Sequence, residues 1–256
     1  MICDYLTRQG LPIEELPFDW DVTIDDLEQY CASALDRNNP IDLHSLLDRA
    51  RGHAFDTKYA DYTYDKDVRG LDDSWQHELR DIFRLLRADD YPRRRLVNVG
   101  IGNGLEAKDV FDRAAHLIAV DVAPKSLERA KARMPAARCL LEDAEDLKSI
   151  PTASQDLYVS LRTYQSSYFG ITKALREAYR VVRQGGIVLI SVANGFLGED
   201  SALIPGLVIP QSSVVNRDRP FEVAEKIRRK LTLMRFEEVG VRTGLAEIYV
   251  YGRRGR

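Results

Sequence analysis

Long apolar runs are missing from this chain. No stretch approaches the roughly 20 apolar residues needed to cross a bilayer, so a membrane-spanning segment is not expected. An excess of positive charge is missing too: 37 Lys and Arg stand against 40 Asp and Glu, a net charge of −3. Domains that grip phosphate backbones are usually clearly basic, which disfavours nucleic acid as a partner. The local clusters Arg93 to Arg95, Arg228 to Lys230, and Arg253, Arg254 and Arg256 then read as solvated faces and chain ends. Cysteine is scarce. Cys3, Cys31 and Cys139 are odd in number and lack metal-ligand spacing, so no metal site is expected and three free thiols in a reducing cytoplasm is the natural reading. The start, Met1-Ile2-Cys3-Asp4-Tyr5, reaches an acid at once and shows no basic region ahead of an apolar run. A cytoplasmic location is the expectation.

What the chain does have is regular alternation. With 256 residues, 45% hydrophobic and 30% charged, it suits one sizeable α/β domain with an appendage. From Leu96 onward, strands are predicted at 96–100, 117–121, 138–141, 156–161 and 186–192. Helices are predicted at about 104–114, 124–133 and 171–183, the last with Leu175, Ala178, Tyr179 and Val182 on one face and Gly185-Gly186 as its stop. Continuous apolar strands such as Leu117-Ile118-Ala119-Val120 point to burial on both faces, hence a doubly wound parallel sheet. A helix at about 220–234 turns Ala224, Ile227, Leu231 and Met234 inward. Strands at 236–242 and 246–252 follow, and the Thr243-Gly244 link is too short for a crossover, so they pair antiparallel.

Residues 1–92 read as a mainly helical extension or lid ahead of the domain at 93–256. Asn39 and Pro40 suit the start of a helix at 41–50. Leu71, Trp75, Leu79, Ile82, Phe83 and Leu86 form the stripe of another at about 71–88. Between them runs an aromatic-acidic loop over 55–65. A second irregular segment, the insertion at 193–219, includes Leu203-Ile204-Pro205-Gly206-Leu207-Val208-Ile209-Pro210, and its prolines and glycine argue against helix or central strand. That apolar run suits either the hydrophobic part of a bound molecule or a homodimer contact.

The most informative segment is Leu96-Val97-Asn98-Val99-Gly100-Ile101-Gly102-Asn103-Gly104. Three glycines spaced two apart at a strand-to-helix junction let backbone approach a ligand closely. A dinucleotide fingerprint would need glycine at 105, where Leu105 stands. Asp121 ends the second strand, in Val120-Asp121-Val122-Ala123-Pro124, and can accept two hydrogen bonds from a ribose diol or cap the following helix. Asp143, in Glu142-Asp143-Ala144-Glu145-Asp146-Leu147, ends the third.

The G-x-G-x-G spacing resembles motif I of the class I S-adenosylmethionine (SAM) dependent methyltransferases. Leu141 to Leu147 is similar to that family's G-D-A-x-x-L. The run Ala174-Leu175-Arg176-Glu177-Ala178-Tyr179-Arg180-Val181-Val182-Arg183-Gln184-Gly185-Gly186 resembles the broad type 11 group before its fifth strand. The resemblance covers about 94–194. It implies a Rossmann-like, seven-stranded sheet of order 3-2-1-4-5-7-6 with strand 7 antiparallel, and SAM as cofactor. Gly100, Ile101, Gly102, Asn103, Gly104, Asp121, Val122, Asp143, Ala144, Leu161 and Arg162 would then hold it, with Asp121 on the ribose and Asp143 on the adenine amino group. Tyr64, with Tyr59 and Tyr62, would close over the sulfonium from the aromatic loop, cation–π attraction giving about 0.5–2 kcal/mol. Asn98 departs from the acid that the family usually carries there and removes a charge from the methionine ammonium. No Asn/Asp-Pro-Pro-Tyr signature follows the fourth strand, which counts against methylation of base or glutamine nitrogens.

For the acceptor, Tyr164, Tyr168 and Asn194 are the candidates, with Tyr164, Gln165 and His77 as candidate bases. Arg162 could bind an acceptor carboxylate or pair with Asp156 or another acid. The reading is methyl transfer to a small-molecule O or N acceptor. A peptide, protein or tRNA acceptor and a non-catalytic SAM-binding scaffold are the alternatives.

Overall fold

A strand buried on both faces is apolar at most of its positions, and the burial here follows that rule. The computed structural model describes residues 72–104, 111, 114–164, 170–193, 219–244 and 247–255. They contain α1 (Asp72–Leu85), β1 (Arg95–Val99), β2 (His116–Asp121), α2 (Pro124–Arg133), β3 (Arg138–Leu141) and β4 (Gln155–Leu161). α3 (Ile171–Val181), β5 (Val182–Ala193), α4 (Arg219–Leu233), β6 (Phe236–Thr243) and β7 (Glu247–Arg254) follow. Leu96, Leu157 and Leu189 pack with Leu79, Ile82 and Phe83 of α1 and Leu127 of α2. Their neighbours Val97, Tyr158 and Val188 point the other way, onto Leu175 of α3 and Ile227 of α4. Both faces are therefore covered, which is why these strands read as largely apolar runs.

The sheet order is β3-β2-β1-β4-β5-β7-β6, matching the expectation. β1 pairs parallel with β2 and β4, β2 with β3, and β4 with β5. β7 alone runs antiparallel to its neighbours β5 and β6, with Glu247 opposite Ala193 at the carboxyl end of β5. The order reverses between β1 and β4, so their carboxyl ends flank the crevice where open α/β sheets take ligands.

Two details differ from the sequence reading. The helix expected over 171–183 ends at Val181, and Val182 already has extended backbone as β5 begins. Gly185 sits in this early strand at φ +73°, beside a register shift between Gln155 and Leu157. A Cβ on Gly186 would lie 2.5 Å from Val182 Cγ1 and 3.0 Å from the Asp156 carbonyl oxygen. The glycine pair thus serves an irregular strand start, not a helix stop. Second, α1, drawn from the expected N-terminal extension, shares the core of the sheet: Leu79, Ile82, Phe83 and Leu86 are buried, and Phe83 stacks on Tyr91 at 4.8 Å. Leu71, the side chain of Trp75, the helix expected at 41–50, the aromatic loop, most of 104–114 and the 193–219 insertion lie outside the described residues. Among the described residues no helix is long and apolar enough to cross a membrane.

Candidate functional site

β1 runs into three left-handed glycines: Gly100, Gly102 and Gly104 have φ of +73°, +55° and +79°. Their surroundings give each a different reason to lack a side chain. A Cβ on Gly100 would meet Thr163, 2.6 Å from its Cγ2 and nearer still to its Oγ1. One on Gly104 would lie 3.1 Å from Ala130 Cα of α2, while one on Gly102 would meet nothing within 4 Å. The expectation that all three keep space for a ligand is thus corrected. Protein atoms fill the space beside Gly100 and Gly104, and Gly102 alone faces open space.

Hydrogen bonds tie this turn to β2. Gly100 and Ile101 both donate their N–H to the Val120 carbonyl, at 2.9 and 3.1 Å. Asp121 then accepts from the Gly102 N–H through Oδ2 at 2.7 Å and from the Ala123 N–H through Oδ1 at 3.0 Å. The second bond closes the turn ahead of α2, whose N-terminus has no side-chain cap, so the carboxylate shapes the approach to the helix without capping it. The first brings the ends of β1 and β2 together at one carboxylate. Arg133 holds the far side of the loop by donating to the Asn103 carbonyl at 2.6 Å. Val122 is half-buried next to Asp121, whereas the side chains of Ile101, Ala144 and Leu161 are buried in the core and leave only their backbone at the edge.

The end of β3 joins the same edge: the Glu142 N–H donates to the Asp121 carbonyl at 3.2 Å. Asp143 accepts from the Glu145 N–H at 2.9 Å and, through its carbonyl, from the Asp146 N–H at 3.0 Å, a tight acidic turn. A clamp on α3 holds the segment after this turn. Glu177 accepts the Leu147 N–H at 2.9 Å, while Arg180 donates to the carbonyls of Leu147 and Ile150 at 2.8 and 2.9 Å and to Glu177 itself. The Arg180 hydrogen bond, then the Leu147 N–H, hold the Glu177 carboxyl below its ordinary value of 4.5 against the opposing effect of burial. A lowered folded-state pKa gives stability that is present above the unfolded value and lost as pH falls through the folded one. Between about pH 5 and pH 3 the parent should therefore lose more melting temperature than Glu177→Gln does, a difference that calorimetric melts at both pH values measure. Equal losses would contradict the clamp.

At the end of β4, Arg162 occupies the left-handed region at φ +56° and donates its N–H to Ser191 O and Oγ at 3.1 and 3.2 Å. Its guanidinium pairs with another acid, Glu247, and not with Asp156, which is held by Arg183 and Arg95. Thr163 Oγ1 lies 3.2–3.4 Å from the carbonyls of Leu161, Val99 and Gly100. Tyr164 is a correction. Expected toward the acceptor and as a candidate base, it is 1% exposed and its hydroxyl lies 2.8 Å from that of Tyr158. Burial, then Tyr158, raises its pKa well above the ordinary value, which disqualifies it as a base near neutrality. His77 stands exposed on α1. Tyr64, Gln165, Tyr168 and Asn194 lie outside the described residues. Glu177, Arg180 and Glu247 were not anticipated. The i,i+3 spacing of Glu177 and Arg180 and the lone acid opening Glu247-Ile248-Tyr249-Val250 were the available signals.

Asn98, at 2% exposure, offers a fit test for a cationic ligand group: its buried Oδ1 has no hydrogen-bond partner among the described residues. A buried acceptor left unmatched costs about 1–3 kcal/mol, and an ammonium donor would relieve it.

The arrangement is the seven-stranded Rossmann-like fold with its glycine turn at the switch in strand order, the architecture of class I methyltransferases. Residues 97–190 match the family model described as a methyltransferase domain, and this segment is a class I SAM-dependent methyltransferase domain, a class whose cofactor is SAM. A malonyl-[acyl-carrier protein] O-methyltransferase of Serratia marcescens is 34% identical over 110 residues, which make up 43% of this chain and 42% of the relative. The chain thus spans about two fifths of that relative's length. A SAM-dependent methyltransferase structure from Thermotoga maritima superimposes with a TM-score of 0.54 at 19% identity, covering 79% of this chain and 99% of the other. One from Aquifex aeolicus gives 0.50 at 18%, covering 73% and 96%. At such identities these structures speak for the fold.

Proposed function

We propose that the chain transfers the methyl group of SAM to a small-molecule acceptor, through oxygen in preference to nitrogen. The observation that carries this reading is the joining of three strand ends at Asp121: its carboxylate takes the Gly102 N–H and its carbonyl the Glu142 N–H. Asp121 would hold the ribose, the Asp143 turn the adenine, and Asn98 Oδ1 the ammonium. Gly102, with nothing where its Cβ would be, would let backbone approach the ligand. The bound cofactor supplies an electrophilic methyl on a sulfonium. What the protein adds is alignment, worth on the order of 7–11 kcal/mol when reacting atoms are held in line.

The relative's name favours oxygen, and a carboxylate acceptor asks least of this site. Bound SAM would supply the methyl and keep the sulfur as a thioether, and a carboxylate acceptor would become a neutral ester with no proton for Tyr164 or another residue to remove. Tyr164, buried and high in pKa, is then not required as a base.

The test uses SAM with a deuterated methyl and mass spectrometry of several acceptor pools. These comprise free dicarboxylate thioesters, malonyl groups on a carrier protein, amines, peptides and tRNA. Labelled free ester is the expected product. Label on the carrier-bound group alone would assign the relative's kind of substrate. Label on peptide or tRNA would contradict a small-molecule acceptor, and tight SAM binding with no labelled product anywhere would favour the scaffold reading.

A further inference from the structure

A charged pair spanning 85 residues stands at the carboxyl edge of the sheet: Arg162 after β4 turns its guanidinium to Glu247, a residue with no role so far, at the start of β7. Glu247 is 0% exposed, and the Arg162 side chain is mostly buried. Burying two charges is costly unless their geometry serves a purpose, and such pairs are best explained by the conformation they specify. Here that conformation is plain. Arg162 is an L-residue with a side chain in the left-handed region, a backbone state that persists only where surroundings over-determine it. The surroundings that do so are the Ser191 carbonyl and hydroxyl, which take the Arg162 N–H, and Glu247, which takes its guanidinium.

The consequence lies one residue on. The left-handed step at 162 turns the chain so that Thr163 seats against Gly100, leaving no room for a Cβ there. Gly100 belongs to the glycine turn whose Gly102 N–H reaches Asp121. A physical chain therefore runs from the β6–β7 hairpin to the cofactor turn: Glu247 to the Arg162 guanidinium, the Arg162 backbone to Thr163, and Thr163 to Gly100. We propose that Glu247 is a positioning residue for the cofactor turn, acting through Arg162 to set the left-handed conformation that seats Thr163 on Gly100. This rests on the cofactor reading above.

The proposal is tested by titrating S-adenosylhomocysteine (SAH) calorimetrically into the parent, Glu247→Gln and the double variant R162G/E247Q. Glycine adopts φ near +56° without help from a side-chain partner, so the double variant restores the turn by another route and leaves no unpaired buried charge. Glu247→Gln alone should weaken SAH binding by about tenfold, the size expected when contacting residues are coupled. The double variant should recover most of that loss. Hydrogen exchange at 161–164 supplies a second reading, faster in Glu247→Gln and restored in the double variant. If Glu247→Gln binds SAH like the parent, or the double variant is weaker than the single, the proposal falls while the cofactor reading stands. If the parent itself binds no SAH, the cofactor reading falls and takes the proposal with it.

Discussion

Asp121→Ala should weaken SAH binding by about two to four orders of magnitude, because two hydrogen bonds from ribose to a charged acceptor are lost, each of about 1.5–3 kcal/mol. Calorimetric titration reads this directly. The same carboxylate takes the Ala123 N–H in the turn ahead of α2 and the Gly102 N–H, so some stability goes too, about 1–3 kcal/mol for backbone donors left without their charged acceptor. Asp121→Asn separates the two effects. It keeps an oxygen that accepts one backbone N–H but removes the charge, and should retain more stability than affinity. Unchanged SAH affinity in Asp121→Ala would mean that the carboxylate serves only the turn.

Gly100→Ala and Gly102→Ala should fail in different ways, although both place a methyl at a left-handed residue of one turn. At Gly100 the methyl would collide with Thr163, 2.6 Å from Cγ2, so overpacking adds to backbone strain. Destabilisation of about 2–5 kcal/mol is expected, visible as a large drop in melting temperature. At Gly102 nothing lies within 4 Å, so only the conformational strain of about 1–2 kcal/mol remains and the variant should fold. Its loss should appear in SAH affinity, since the methyl enters the space that the ligand's approach requires. G100A/T163G should recover the part of the stability loss due to the clash and not the part due to φ. Equal stability losses in the two single variants would contradict the distinction between them.

The strand order was legible because it follows from local patterns: apolar runs at regular spacing, and a hairpin link too short to cross over. Asp121 and the glycine turn were legible because each stands at the end of such a run. What escaped depends on contacts between distant segments. That Gly100 is confined by Thr163, 63 residues later, leaves no mark in either local sequence. Glu247 and Arg162 gave no spacing to recognise, being brought together only by the pairing of β5 with β7. Tyr164 read as a pocket residue because it follows a strand, yet its apolar ring and the nearby Tyr158 hydroxyl favour burial. The end of α3 was misplaced for a related reason. Glycine after an amphipathic run is a helix stop in most settings, but pairing of Val182 with Gln155 starts the strand first.

The most direct measurement is a crystal structure of the chain with SAH bound. The account predicts both ribose hydroxyls on the Asp121 carboxylate, the adenine against the Asp143–Ala144 turn and the ligand's backbone-side face over Gly102. A nucleoside bound elsewhere on the molecule, with no ribose hydroxyl on Asp121, would contradict it.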